Sequence, residues 1–111
     1  MIPNKQHAHK DGVVLAVARS LGVTVDDVTC AKRDAWRVLT RYGIAYALRN
    51  DHHWSWDDIS TTINRERTTT YYAVETAQLL MDHGNSEQKT ILARVRETVA
   101  KHMNSLPQQE P

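Results

Sequence analysis

The residues best equipped for chemistry in this chain of 111 lie in two short stretches. The first is Arg65-Glu66-Arg67-Thr68-Thr69-Thr70, followed by Tyr71-Tyr72. An arginine fork matches the O6 and N7 acceptors of guanine, glutamate accepts from cytosine N4, and threonine offers a hydroxyl plus a methyl for thymine. Three successive β-branched threonines are poor helix formers, so local propensity does not account for them. The plainer reading is a Thr-rich helix start carrying two solvated arginines. The second stretch runs from Lys32 to Arg49, where Lys32, Arg33, Arg37, Arg41 and Arg49 meet one acid, Asp34. Such a run suits the anchoring of phosphates, and equally a solvated helix face. The whole chain has 14 basic and 13 acidic residues for a net charge of +1, so any polarity is local rather than global.

Other chemistries find less support. The six histidines fall as His7 and His9, His52-His53, His83 and His102, with no C-x-x-C or H-x-x-x-H spacing, so no metal site and no cofactor is expected. Cys30 precedes Lys32 and Arg33, which favour a thiolate, but no histidine is placed beside it by the sequence. Nothing resembles a Gly-x-Ser-x-Gly elbow or a P-loop, and Asp26-Asp27 and Asp57-Asp58 read as helix-start charges rather than paired acids. No catalytic residue and no small-molecule substrate is therefore expected. The longest apolar runs, Val13–Ala18 and Gly43–Leu48, fall well short of the roughly 20 residues of a membrane span. A single cysteine and an N-terminus without an apolar core place the chain in a reducing cytoplasm.

These residues must be positioned by helices. The three prolines (3, 107, 111) lie near the termini, leaving the middle of the chain free of strong breakers. Residues 1–10 read as a flexible segment, with Asp11 the N-cap and Gly22 the C-cap of a first helix buried along Val14, Val17, Ala18 and Leu21. Val23–Val28 alternates, yet Thr24 with Asp26-Asp27 favours a short capped helix, since no second strand offers pairing. Val38, Leu39, Tyr42, Ala45, Tyr46 and Arg49 mark a helix from about Asp34 to Asn50. Asp51-His52-His53 breaks it. Ser55 then caps a short helix with Trp56, Ile59 and Ile63 inside. After a turn at Asn64-Arg65, a helix of about Glu66–Met81 buries Thr70, Ala73, Val74, Ala77, Leu80 and Met81. Ser86 opens a last helix, 86–104, buried along Ile91, Leu92, Val95, Val99 and Met103, and 105–111 reads as a disordered tail. Trp56 is expected in the core. Trp36 is expected there too, in preference to stacking on a sugar or base. The class is all-α, a compact bundle of five to six helices in one domain, 11–104. Its two helices across about 55–82 have the helix-turn-helix arrangement that offers the start of the second helix to the major groove.

From Val17 to about Met81, roughly three-fifths of the chain, the sequence resembles the C-terminal DNA-binding domain of the bacterial replication initiator DnaA, in the Trp-repressor-like helix-turn-helix group. The first part of the family pattern is matched by Val17-Ala18, Leu21, Val23, Val25 and Asp27-Val28. Lys32-Arg33 stands for its basic segment. Arg41, Ile44-Ala45 and Leu48 fall on its long helix. Ser55-Trp56-Asp57-Asp58-Ile59-Ser60 stands for S-x-x-E-I-G, and Arg65 to Ala73 stands for R-D-H-T-T-V-x-H-A, with one residue missing before Arg65. The resemblance implies a protein that binds double-stranded DNA and acts as a transcription or replication regulator, encoded by a bacterium or a phage and associated with the nucleoid. Without the family's ATP-binding module it would not melt an origin alone.

On this resemblance Arg65, Glu66, Arg67 and Thr68 face base edges, while Thr69, Lys32, Arg33, Arg37, Arg41 and Tyr72 hold the backbone or enter the minor groove. Ala35 occupies the family's minor-groove arginine position, so Arg33 or Arg37 would have to substitute. Glu66, Arg67 and Tyr72 depart from the signature's Asp and two His, which implies an altered target site. Ile63-Asn64 replaces its glycines, and Asn64 tolerates the left-handed backbone that such a turn uses. Asp57-Asp58 would repel DNA. Helix 86–104 either packs back on the domain or pairs with a second copy. The rival class is a small helical module that binds and inhibits a replication or transcription protein, with helix 86–104 carrying the contact.

Overall fold

A computed structural model describes the backbone of residues 5–105 and the side chains from Gly12 to Ser105. Among these residues every regular element is helical: α1 (Lys5–Leu21), α2 (Val25–Thr29), α3 (Ala35–Tyr46), a π-helical turn (Ala47–Asp51), α4 (Trp56–Ile63), α5 (Arg67–His83) and α6 (Ser86–Ser105). Local sequence explains most of the boundaries. At the end of α1, Gly22 takes a φ of +72°, with Gly22 N–H donating to the Arg19 carbonyl and Val23 N–H reaching back to Ala18. That paired return is the Schellman stop, which needs the left-handed conformation glycine adopts at little cost. Thr24 and Asp27 then exchange side-chain and backbone bonds, both at 3.0 Å, as a full capping box for α2. Ser55 Oγ accepts from the Asp58 N–H to start α4.

Three expectations need correction. Helix α1 begins at Lys5, so residues 5–10 are helical and Asp11 lies inside the helix instead of capping it. Lys5 to Lys10 contains no breaker, so nothing in that stretch halts propagation toward the N-terminus. Residues 106–111 of the expected tail, and 1–4, lie outside the described residues. Next, the helix expected to run to Asn50 ends as an α-helix at Tyr46, and the π-helical turn carries the chain on to Asp51. Finally, Trp54 is the core tryptophan, whereas Trp56 and Trp36 are only half-buried. Trp54 precedes α4, its backbone N–H bonds the Leu48 carbonyl at 2.9 Å, and its side chain is buried.

The core gathers Val13, Val17, Val28, Ile44, Leu48, Ile59, Ile63, Val95 and Val99. Helix α3 is the axis of the bundle, buried on most sides and packed against α2, α4, α5 and α6. Its Gly43 permits the approach of α6, since a Cβ there would lie 2.9 Å from Val95 Cγ1. Leu92, Val95 and Val99 are wholly buried against α1, α3 and the π-helical turn. Arg96 fixes that end with a two-pronged ion pair to Asp51 at 2.9 and 3.0 Å. The apolar side of α6 is thus packed within the chain, the first of the two alternatives that the sequence left for helix 86–104.

Candidate nucleic-acid interface

Helices α4 and α5 are joined by Asn64, Arg65 and Glu66. Asn64 is left-handed (φ 57°, ψ 51°), its N–H returning to Thr61 and that of Arg65 to Ser60, so the chain reverses within one residue of the end of α4. Asn supplies what the sequence lacks in glycine there. The first turn of α5 is then welded to α4. Thr70 Oγ1 donates to the Glu66 carbonyl at 2.9 Å, so Ser60 Oγ is the donor in the 2.9 Å bond between the two hydroxyls. Thr70 is fully buried, while Thr68 and Thr69 are exposed. The threonine run therefore splits into one structural residue and two surface residues. Glu66 makes no side-chain cap, which leaves the α5 N-terminus open toward any anion.

The arginines divide in the same way. Arg41, only 4% exposed, donates to the carbonyls of Val28, Cys30 and Lys32 at 2.8–3.4 Å. Burial first, and then the facing Arg65 guanidinium, lower its pKa from the ordinary arginine value. Arg65 donates to Cys30 at 2.6 Å, Asn64 at 2.8 Å and Thr29 at 3.3 Å. Together they bind the chain leaving α2 to the turn before α5. Arg37 bonds Asp27 at 3.0 Å and pairs with Asp34 as well, and the Thr24 N–H and Arg37 together hold the Asp27 carboxyl below the usual range. The expectations for three residues change accordingly. Arg65 is not in the first turn of α5 facing outward, because its guanidinium is committed to backbone carbonyls. Arg41 is too buried to reach a phosphate, and Arg37 is spent on two carboxylates.

Of what remains exposed, Arg33, Thr69, Glu66 and Arg67 form a continuous band. A cleft of about 300 Å³ has Arg33, Tyr42, Asn64, Arg65 and Thr69 among its lining residues, so the basic loop and the start of α5 share one wall. A shallower groove, sharing Asn64, Arg65 and Thr69 with it, continues over Asp57, Thr61, Glu66 and Arg67. Lys32, Arg33, Glu66, Arg67, Thr68, Thr69 and Tyr72 are all exposed; Tyr72 is 59% accessible and leans edge-on against Tyr42 at 6.2 Å. Thr61 is the groove residue the sequence reading passed over. No sequence signal marked it, since its hydroxyl bonds the Asp57 backbone carbonyl at 3.0 Å, as any helical threonine can do four positions on. Among the described residues no group of histidine, cysteine and carboxylate side chains is placed to hold a metal ion. Among the same residues no helix is long and apolar enough to cross a membrane. Comparison with family models, with curated proteins and with solved structures found no match to this chain.

Proposed function

We propose that this chain binds double-stranded DNA, as a transcription or replication regulator of the DnaA C-terminal type, with α4 and α5 as a helix-turn-helix. The exposed band around the uncapped start of α5 carries the reading: Arg67, Thr68 and Thr69 offer base-edge chemistry, and Lys32 and Arg33 flank them on a loop pinned by Arg41 and Arg65. A loop fixed by buried guanidinium bonds presents its cations without first paying to order itself. Glu66 and Tyr72 border the same surface and complete the candidate contact set.

The rival reading, a protein-inhibiting module, placed its contact on α6, whose apolar side is internal. Retention of a random double-stranded library at about 50 and about 200 mM salt, with the bound fraction sequenced, separates the two. An enriched motif with affinity falling steeply in salt is the expected result. Replacing Lys32 and Arg33 by Ala should weaken binding on every sequence and reduce the salt slope by about 1 per cation removed, with the thermal midpoint unchanged. Failure to retain DNA even at the lower salt would end the DNA reading.

A further inference from the structure

We propose, resting on the DNA reading above, that Asp57 is a specificity-positioning residue which holds Arg67 as a reader of guanine. Arg67 opens α5 with its side chain 56% exposed, a setting in which an arginine ordinarily samples many rotamers. Here two groups restrain it. Asp57 Oδ1, from the first turn of α4, lies 3.4 Å from its Nε, and the ring of Tyr71 lies 5.9 Å from its guanidinium carbon. Tyr71 is itself fixed, meeting Trp56 edge to face at 4.6 Å and 84°. The far side of this stack is closed by Arg49, 4.3 Å over Trp56 and bonded at 3.0 Å to the carbonyl of buried Trp54. Two stacked rings flanked by a cation on each side therefore run from the carbonyl of buried Trp54 to the Arg67 side chain.

The ion pair engages the Nε edge, so the two terminal nitrogens stay available as parallel donors. Guanine presents two acceptors, O6 and N7, side by side in the major groove, whereas adenine sets a donor beside its N7. A restrained two-donor fork thus selects guanine. The Asp57 carboxylate also repels phosphates in every register alike, so it lowers affinity without regard to sequence and leaves the discrimination to the fork it positions.

The test measures affinity for the selected site and for its single-base variants at the position that responds to Arg67. The unaltered protein should prefer guanine there by about 5- to 150-fold. Arg67→Ala should erase the preference at that position alone. Asp57→Asn should cut the preference several-fold while binding to random DNA holds or tightens, and Asp57→Glu should restore it. Preference that survives Asp57→Asn, or a loss spread equally over all sequences, would overturn the proposal. DNA retention with no guanine position tracking Arg67 would also overturn it while leaving the DNA reading standing. Absence of retention by the unaltered protein would remove both.

Discussion

Arg41 and Arg65 on one side, and Arg33 and Arg67 on the other, are the same residue type within one end of the bundle, yet their roles diverge. The first pair is turned inward and donates to the carbonyls of Val28, Thr29, Cys30, Lys32 and Asn64. The second pair is exposed on the rim of the same clefts. The difference teaches that a run of positive charge is not a unit. A guanidinium surrounded by backbone oxygens with no water to replace it builds the platform, and one left in solvent is free to engage something else.

Breaking the inward pair should have the largest effect. Arg41→Ala takes the guanidinium donor from the carbonyls of Val28 and Lys32, while Cys30 keeps Arg65, and a loss of about 2–4 kcal/mol in urea unfolding is expected. Arg67→Ala, measured in the same way, should stay within about 0.5 kcal/mol. Equal losses in the two variants would erase the distinction between them. A smaller change sharpens the geometry between the pairs. Asn64→Gly should be nearly neutral, whereas Asn64→Ala should cost about 1 kcal/mol, because only the second strains the left-handed turn. Indistinguishable variants would mean that the φ of 57° carries no demand.

The smallest effect concerns a third fate for a potential cation. His52 Nε2 is buried without a hydrogen-bond partner, and burial lowers the His52 pKa from 6.5, against the pull of Asp51 and with the push of His53. As pH falls through about 6.5 the unfolded chain gains a proton that the folded one resists, so stability drops until pH passes the lower, folded value. His52→Gln should flatten the decline in thermal midpoint between about pH 7.5 and about pH 5.5. The same decline in both proteins would show that His52 is not its source.

Much of this was open to sequence reading. The helix ends at Gly22, Thr24, Ser55 and Asn64 are made by bonds that span no more than five positions, so they follow from residue type and spacing, although the Asn64 amide also reaches the Thr29 carbonyl across 35 positions. The buried stripes of α5 and α6 follow from helical periodicity, and Thr70, Ala73, Ala77, Leu92, Val95 and Val99 lie where that period puts them. Periodicity has nothing to say about Trp54, which belongs to no helix, and it misplaced the core tryptophan at Trp56 for that reason. Nor does it distinguish a face of α6 that folds back from one that awaits a partner, since both are apolar.

The sequence by itself therefore determined an all-helical chain and most of its helix ends, because capping and periodicity are local, and it marked the basic and threonine residues at one end of the bundle by type alone. Tertiary structure alone decided which of those residues stay in solvent. Arg65 meets the Cys30 carbonyl across 35 positions, Arg41 reaches Val28 across 13, and α6 closes over Gly43. Whether a guanidinium is buried or presented depends on which distant backbone oxygens packing brings within reach, and that information does not exist until the helices have docked.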